Sequence, residues 1–508
     1  MIKTPRLISM FKKYLLALYF LPLLCIAVEP TAVTAKKQPN FIIIYVDDLG
    51  YGDLGLYQHK ELNTPAIDDL VNTGQSWTNF YVSASVCSPS RGALLTGNLP
   101  VRTGLYGDRL AVLWPSSQTG MPAELQTLAE TFKLHNYATA MFGKWHLGDA
   151  DEFLPTRHGF DEWLGIPYSN DMDWTIGDIT STNVNDDLSI SHEKWQKAGP
   201  VYEKQLRNPT LSDWNVPLMH SVVHNDKSYT DKIIQRPADQ RLYTQRFTNE
   251  SQRFIRQSVK ADKSFFVFLS HSMVHVPLFR SDDFAGKSAL GLYGDVLEEI
   301  DWSVGQIFKE IKEQGIEDNT YVVFTSDNGP WLTYAPDHAG SAGPLRGGKG
   351  QTYEGGMRVM TLFKGPNIEP GIVAELGMDT DIFNTFMNLA DIPSMPSAVD
   401  SYDLSDTLIN KSASPRDFVP YYRNSTLRAF RLGKQKIHFV TNDKFGGPTT
   451  EHEPPILIDL VNDNSESTDL SAVRSKEVAR IKQRVAEFKA ATPIAPSIFD
   501  LQKGVQKE

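Results

Sequence analysis

Four short apolar runs in this chain each end abruptly in charged or polar side chains. The runs cover residues 41–46, 138–142, 265–270 and 321–325, and most of their members are β-branched or aromatic. Such runs are typical of strands buried on both faces of a parallel sheet. Amphipathic helical patterns lie between them, so the sequence predicts an α/β fold with helices on both faces of a sheet.

The clearest helix prediction rests on apolar residues at three-four spacing from Tyr293 to Ile311, with Gly315 ending the pattern. A similar pattern over residues 242–255 predicts a second helix. Residues 170–235 are aromatic and polar without a sustained period. We expect this stretch to be a long excursion from the core that carries specificity, rather than a core element.

The pattern changes towards the end of the chain. Alternating residues flank Gly433 as in a β-hairpin, a further strand is predicted at 456–460, and a last helix at 478–488. We therefore expect a catalytic domain over residues 36–415. Residues 416–508 are expected to form a C-terminal subdomain, built as a small antiparallel sheet with one helix.

The first 35 residues have the features of an export signal. Basic residues precede an apolar run over residues 14–28, which is shorter than the ~20 residues of a membrane span. Small residues at 33–35 suit signal peptidase, so we expect cleavage after Ala35 and a secreted or periplasmic protein. A retained membrane anchor and a lipoprotein modified at Cys25 are the alternatives.

The charge balance limits the classes of partner. The formal net charge is −11, so the chain is a poor non-specific binder of nucleic acid or of an anionic membrane. We expect no nucleic-acid partner. Any polyanionic ligand would have to be bound in a local basic pocket.

Cys87 is the one cysteine outside the expected leader, so an exported chain has no intramolecular disulfide. A short helix is predicted over residues 90–96, which places Cys87 at its amino end, facing the surface. Backbone N–H groups favour anions at that position, and Arg91 lies one turn further on. This setting favours a reactive group; a small buried hydrophobe is the alternative interpretation.

Polar side chains follow each of the four predicted strands. In open α/β sheets, ligands bind beyond the carboxyl ends of the strands, so we expect these groups to meet there. Each motif alone has an ordinary structural explanation, such as a turn or a helix cap. The groups are Asp47-Asp48, Lys144 with His146, His271 with His275, and Asp327-Asn328.

This inventory indicates a reaction class. The aspartates and the asparagine are hard oxygen ligands, which suit Ca²⁺ or Mg²⁺ rather than Zn²⁺. Arg91, Lys144 and Lys349 supply fixed positive charge. His146 and His275 can transfer protons near neutral pH. Together they predict a site that binds and cleaves a sulfate or phosphate ester.

Several segments resemble signature blocks of the formylglycine-dependent sulfatases, most closely the arylsulfatase A-like branch. Cys87-Ser88-Pro89-Ser90-Arg91 is similar to the first signature, and residues 143–148 are similar to the second. Further blocks match in the same order at residues 47–50, 324–329 and 348–356. The resemblance spans about residues 38–500. It implies an alkaline-phosphatase-like α/β fold, with a central mixed sheet flanked by helices and a small C-terminal subdomain.

The resemblance also implies a particular nucleophile. Cys87 would be oxidised to formylglycine by a maturation enzyme that reads the segment through Pro89 and Arg91. One hydroxyl of the aldehyde hydrate would attack sulfur and release the alcohol, and the second would then expel sulfate and restore the aldehyde. The substrate would be a small sulfate ester or a sulfated carbohydrate. The aromatic stretch at 170–235 favours a glycan.

Roles for the other residues follow from the same resemblance. Arg91 and Lys144 would hold the hydrate and the sulfate, and Asp327 would assist deprotonation of the attacking hydroxyl. A calcium ion, or magnesium in its place, would be bound by Asp47, Asp48, the modified Cys87, Asp327 and Asn328.

The two histidines would divide the proton transfers. His146 would act when sulfate is expelled. His275 and Lys349 would bind sulfate and protonate the leaving oxygen. Ser169 matches a further position that contacts sulfate, as do Lys144, His275 and Lys349.

Three alternatives remain open for the function. A phosphodiesterase or phosphonate monoester hydrolase of the same superfamily would use a similar site. A glycan-binding protein could retain the fold without catalysis. An ordinary Cys–His thiol hydrolase could use Cys87 directly, although it would leave the predicted metal carboxylates without a role.

Overall fold

The computed structural model describes residues 37–54, 61–177, 179–180 and 192–501, without the side chains of 192–195. The expected leader over residues 1–35 lies outside these ranges. The described residues from Gln38 onwards form one compact unit. None of the described helices combines the length and the hydropathy that crossing a bilayer requires.

A ten-stranded mixed sheet forms the centre of the described fold, with a four-stranded and a two-stranded sheet beside it. The strands are β1 (Asn40–Val46), β2 (Gln75–Tyr81), β3 (Ala138–Lys144), β4 (Glu162–Ile166), β5 (Thr175–Ile176), β6 (Ile179–Thr180), β7 (Leu218–Val223), β8 (Tyr229–Gln235), β9 (Phe265–Ser270), β10 (Thr320–Ser326), β11 (Arg358–Lys364), β12 (Gly371–Met378), β13 (Phe418–Arg423), β14 (Thr426–Leu432), β15 (Gln435–Asn442) and β16 (Thr449–Asp459).

Helices cover both faces of the central sheet. They are α1 (Pro65–Thr73), α2 (Cys87–Thr96), α3 (Pro100–Thr103), α4 (Leu128–Leu134), α5 (His192–Arg207), α6 (Tyr243–Lys260), α7 (Gly291–Glu313), α8 (Glu354–Met357), α9 (Asp381–Leu389), α10 (Ser405–Asn410) and α11 (Ser475–Ala491).

The central sheet has the order β12-β2-β11-β10-β1-β9-β3-β4-β7-β8. Its middle strands β10, β1, β9, β3 and β4 run parallel, and β11, β7 and β8 pair antiparallel. Because the middle strands run parallel, their carboxyl ends meet at one edge of the sheet. The polar residues that follow them therefore come together there.

Successive side chains of β1 enter opposite faces of the sheet, which explains why this strand is apolar throughout. Phe41, Ile43 and Tyr45 enter one hydrophobic cluster, and the residues between them enter the cluster on the opposite face. Helices α4 and α9 pack on the first face, and α1, α6 and α7 on the second. Two buried faces leave no position for a polar residue until the strand ends.

The predicted fold class is confirmed. The four predicted strands are β1, β3, β9 and β10, and the two predicted helices are α6 and α7. The hairpin expected around Gly433 is β14–β15, where Gly433 has a left-handed φ of 58°. The last predicted strand overlaps the end of β16 and runs one residue past it, and the last predicted helix lies within α11.

The expectation for residues 170–235 was only partly right. The stretch includes α5 and the β5–β6 ribbon, but β7 and β8 extend the edge of the central sheet. Their sequences show no clear apolar periodicity, because a hairpin at the edge of a sheet is only partly covered by the rest of the protein. The side chains of β8 are exposed or half-buried. Part of this stretch is therefore a core element.

The four strands β13–β16 form the predicted small antiparallel sheet, against which α11 packs with four buried apolar residues. Apolar residues of this sheet belong to the same hydrophobic cluster as one face of the central sheet. A domain boundary between residues 415 and 416 stays a prediction, since the apolar core runs without interruption across it.

A buried charged cluster also joins the two sheets. The ammonium of Lys436, on β15, lies 3.0 Å from Glu354 and 2.9 Å from Glu466, and all three side chains are fully buried. It also donates a hydrogen bond to the carbonyl of Thr352 at 2.9 Å. His438 Nε2 lies 2.7 Å from Glu466. The C-terminal sheet thus fixes the segment that starts α8.

We expect Lys436→Ala to lower the free energy of unfolding by about 3–5 kcal/mol, because two buried carboxylates lose the cation between them. Urea unfolding followed by circular dichroism measures this loss. Lys411→Ala is the matched control: it breaks the exposed pair with Glu369 and should leave the urea midpoint unchanged. Equal midpoints for both variants would contradict the role given to Lys436.

Candidate functional site

The predicted polar groups meet at the carboxyl edge of the parallel strands. Asp47 and Asp48 follow β1, and Lys144 ends β3. His275 comes from the segment after β9, and Asp327 follows β10 directly. The neighbouring order β10-β1-β9-β3 brings these four strand ends side by side, as the sequence predicts.

Two of the strand ends turn through left-handed backbone. Asp48 has a φ of 59° and His146 a φ of 63°. This region is uncommon outside glycine, but Asp and His tolerate it better than most residues. The Asp48 N–H donates to Asp327 Oδ1 at 3.1 Å, which joins two strand ends. Strained backbone of this kind is found at functional sites.

Cys87 is the first residue of α2, which ends at Gly97 in left-handed conformation, φ 66°. The expectation that Cys87 faces the surface was wrong: it is only 2% exposed, because the strand-end loops cover the helix start. Its Sγ lies 3.7 Å from Asp47 Oδ1. Burial raises the pKa of the thiol to about 12, although Lys144 and Lys349 act in the opposite direction. The unmodified thiol is therefore protonated near neutral pH, which disfavours a Cys–His thiol hydrolase.

Arg91, one turn after Cys87, is fixed by four hydrogen bonds. Its Nε and Nη2 donate to Asp327 Oδ2 at 3.0 and 2.8 Å. Its Nη1 donates to the Lys144 carbonyl at 3.0 Å and to Ser270 Oγ at 2.7 Å. The guanidinium is 1% exposed, so its charge acts in a region from which water is largely excluded.

Two lysines face the two adjacent aspartates. The Lys144 ammonium contacts Asp47 and donates to Ser169 Oγ at 3.1 Å. The Lys349 ammonium lies 2.8 Å from Asp48. Burial alone would raise the pKa of Asp47, but Lys144 and other nearby cations outweigh it and hold that pKa well below its ordinary value. The site is thus a compact array of alternating charges.

The two histidines differ in their surroundings. His146 Nε2 lies 2.8 Å from the Leu113 carbonyl, and its Nδ1 is buried without a partner among the described residues. Burial and nearby Lys144 lower its pKa well below the ordinary value. His275 Nε2 lies 3.7 Å from Asp48. Burial and Lys349 lower the pKa of His275 as well. In the substrate-free protein these shifts favour the neutral form of each ring.

The donor set fits a hard divalent cation. Ligand atoms of Asp47, Asp48, Cys87 and His275 lie within 4.8 Å of one another. Asn328 donates from its amide nitrogen to Asp48 Oδ1 at 2.6 Å, while its buried Oδ1 has no hydrogen-bond partner in the described part of the chain. A free carbonyl oxygen beside crowded carboxylates is a place where Ca²⁺ or Mg²⁺ is bound.

Asp327 shows the repulsion that a cation would relieve. Burial and the Asp47 carboxylate raise the pKa of Asp327 above its ordinary value, against the effect of Arg91. The sequence predicted only oxygen ligands apart from the modified Cys87. In the structure the imidazole of His275 is also among the grouped ligand atoms. The individual roles of these residues stay predictions.

Three residues of the site were not predicted. Trp331 lies over the Lys349 ammonium, 4.6 Å from ring centroid to Nζ, and 5.3 Å from the His275 ring. Its position just after the Asp-Asn-Gly block was the one available signal. Ser270, which accepts from Arg91, is the last residue of a predicted strand. Leu113 contributes only a backbone carbonyl, which leaves no sequence signal.

We expect the protein to bind one equivalent of calcium or magnesium. Asn328→Leu keeps the branched shape of the side chain but removes the free oxygen and the amide donor to Asp48, so affinity should fall by about 100-fold or more, beyond the roughly 10–100-fold loss typical of outer-shell changes. Isothermal titration of metal-stripped protein with Ca²⁺ measures this loss, with Asn170→Leu as a control outside the cluster. Stoichiometric zinc, with activity lost on its removal, would contradict the assignment.

Comparisons with known proteins agree with this geometry. Residues 39–392 match the family model described as Sulfatase, and residues 414–507 match that for the C-terminal region of aryl-sulfatase. The chain is 35% identical over 492 residues to arylsulfatase A of Homo sapiens, covering 92% of this chain and 91% of that protein.

Two further similarities extend the comparison. The chain is 35% identical over 415 residues to N-acetylgalactosamine-6-sulfatase of Homo sapiens, covering 80% of this chain and 72% of that protein. The crystal structure of PsFucS1 sulfatase from Pseudoalteromonas sp. matches with a TM-score of 0.75 and 27% identity, over 90% of this chain and 92% of that one.

Proposed function

Because this chain belongs to the sulfatase family, we propose that it hydrolyses sulfate esters of a glycan, with formylglycine formed from Cys87 and a divalent cation bound beside it. The observation that carries the proposal is the position of Cys87. It lies at the start of α2, 3.7 Å from Asp47, between the charged groups of Lys144, Lys349 and Arg91.

The surrounding groups suit a transition state in which negative charge develops on the sulfate and leaving oxygens. Fixed ammonium and guanidinium groups stabilise charge that develops on sulfate oxygens, because they are already oriented and need no reorganisation. When bound, the cation would add Lewis-acid character beside them. Lys144 and Ser169 lie together at 3.1 Å, where they would hold a sulfate oxygen. His275 and Lys349 lie beside Asp48, where they would meet the leaving oxygen.

The burial of the signature segment bears on its maturation. Cys87 is 2% exposed and Arg91 is 1% exposed, and Arg91 is engaged with Asp327. An enzyme that reads Cys87, Pro89 and Arg91 therefore has no access to these side chains in the folded protein. We propose that conversion to formylglycine precedes folding of this segment.

We expect the peptide that contains Cys87 to be lighter by about 18 Da than its unmodified mass, as a thiol is replaced by an aldehyde. Cys87→Ala should lower the hydrolysis rate by roughly three orders of magnitude or more, because the nucleophile is lost. Mass spectrometry and turnover of nitrophenyl sulfate measure the two effects. A thermal-unfolding midpoint near that of the wild type serves as the control for folding. Full activity of Cys87→Ala would exclude the covalent mechanism.

The two histidines should act in different steps. An aryl sulfate has a good leaving group and needs little protonation, whereas a sugar sulfate needs much. His275→Ala should therefore lower turnover of a sugar sulfate by about 100-fold or more, and turnover of nitrophenyl sulfate by less than about ten-fold. His146→Ala should let sulfated enzyme accumulate, seen as a burst of alcohol followed by a stall.

Calcium affinity of His275→Ala is measured in parallel, because this ring lies near Asp48. Nitrophenyl phosphate, run beside nitrophenyl sulfate, distinguishes a sulfatase from a phosphorus esterase of the same superfamily. Equal losses for both variants on both substrate types, with no trapped intermediate, would show that the division of roles is wrong even if sulfate esters are hydrolysed.

The glycan part of the proposal is supported by the relatives. N-acetylgalactosamine-6-sulfatase is named for a sulfated sugar. Half-buried Trp331 beside His275 offers an aromatic face of the kind that contacts sugar rings. Export belongs to the same proposal and is supported by the basic and apolar composition of residues 1–35. N-terminal sequencing of the protein recovered outside the cytoplasm tests it.

A further inference from the structure

Two arginines of the C-terminal sheet have no acidic partner among the residues that the structure describes. Arg423 ends β13 and Arg428 lies early in β14, across a tight hairpin from it. Within the described part of the chain, neither guanidinium forms an ion pair with a carboxylate. Arg428 Nη1 donates to Asn442 Oδ1 at 3.1 Å, while its buried Nε has no hydrogen-bond partner there.

The pKa values of both guanidinium groups are lowered, whereas an arginine paired with a carboxylate has a raised pKa. Burial and the neighbouring Arg428 lower the pKa of Arg423 to about 10, and burial lowers the pKa of Arg428. Both remain charged near neutral pH. Like charges held together in a half-buried place destabilise the free protein. An arrangement that accepts this cost is characteristic of a binding site for an anion.

The position of Arg423 relates it to the nucleophile. Arg423 and Asn424 line a small cavity together with Val86 and Pro89. These last two residues flank the segment that contains Cys87. Arg423 therefore lies near the amino end of α2 and not on a remote face of the molecule.

An aromatic pair connects Arg423 to the sulfate-binding groups. The Arg423 guanidinium lies 5.4 Å from the centroid of the Phe445 ring. Phe445 meets Trp331 edge to face at 5.8 Å. Trp331 in turn contacts the Lys349 ammonium and the His275 ring. Both aromatic residues are half-buried, and their contacts link Arg423 to Lys349.

Arg428 is connected to the same loop by another route. It donates to the side chain of Asn442, and the Asn442 carbonyl accepts from Gln351 Nε2 at 2.8 Å. Gln351 lies two residues after Lys349. The arginine pair and the Lys349 loop are thus held in a fixed relation by β15.

We propose that Arg423 and Arg428 bind a second anionic group of the substrate, on a sugar unit next to the one that carries the cleaved sulfate. The inference rests on the proposed function and specifies its substrate class: an oligosaccharide with at least two anionic groups. Sulfate and carboxylate are both recognised by guanidinium groups in paired hydrogen bonds. Trp331 and Phe445 would contact the sugar faces between the two anions.

Inhibition of nitrophenyl sulfate hydrolysis by defined tetrasaccharides tests this inference. Each tetrasaccharide carries one sulfated terminal sugar, and the unit next to it is neutral, sulfated or a uronate. The whole series is made three times, with N-acetylgalactosamine, galactose or glucosamine as the terminal sugar. In the wild type, a doubly charged member should inhibit at about ten-fold lower concentration than its singly charged counterpart, since hydrogen bonds to charged groups contribute this much. The sulfated and uronate arms distinguish the two anions.

Arg423→Gln should raise the inhibition constant of the doubly charged member about ten-fold more than that of the singly charged one. Arg480→Gln is the matched control: it removes the same charge from α11, where Arg480 contacts Gln435 at the other end of β15. It should change neither constant. If Arg423→Gln does not fold, the salt dependence of the wild type decides, since doubly charged inhibitors should weaken more steeply with ionic strength.

Equal inhibition by singly and doubly charged members in the wild type overturns the inference, as does no inhibition by any member of the series. The inference is also overturned if Arg423→Gln raises the inhibition constants of the singly and doubly charged members equally. It is overturned as well if Arg480→Gln raises the constant of the doubly charged member as selectively as Arg423→Gln does. In each case hydrolysis of nitrophenyl sulfate leaves the proposed function standing. No hydrolysis of any sulfate ester by the wild type refutes the proposed function, and this inference with it.

Discussion

Neutralisation of buried carboxylates at the carboxyl edge of the central sheet is the constraint on which the site depends. Asp47, Asp48 and Asp327 are at most 3% exposed, and a charge buried without a partner is very unfavourable. Each therefore faces a cation: Lys144, Lys349 and Arg91, respectively. These cations come from β3, from the loop before α8 and from α2, so the charges can be balanced only when the whole sheet edge is assembled.

The same requirement explains why a second sheet is attached. The Lys349 loop leads into α8, whose first residue, Glu354, is a fully buried carboxylate. Its charge is balanced largely by Lys436 of β15, which also faces Glu466. Packing of β13–β16 thus fixes the segment that presents Lys349 to Asp48. The C-terminal sheet belongs to the architecture of the site as well as to the stability of the fold.

Burial sets the chemical state of the unmodified cysteine. The thiol of Cys87 is enclosed by strand-end loops and by charged side chains, and its raised pKa makes the unmodified residue a poor nucleophile. An oxidised aldehyde hydrate at the same position would face Lys144 and Arg91 directly. On the side of the C-terminal sheet, a series of contacts leads from Lys349 through Trp331 and Phe445 to Arg423. That direction is where the remainder of a long substrate would extend.

The sequence by itself determined the strands, because β1, β3, β9 and β10 are buried on both faces and must be apolar until they end. Their abrupt polar ends therefore predicted the residues of the site, and parallel pairing predicted that they meet. Only the tertiary structure decided what depends on distant contacts. Half-covered edge strands such as β7 carry too weak a pattern to be found. The carbonyl of Leu113 beside His146, the enclosure of Cys87, and the adjacent charges of Arg423 and Arg428 become visible only when segments far apart in sequence are brought together. Burial and charge pairing are properties of that assembly, and no single segment encodes them.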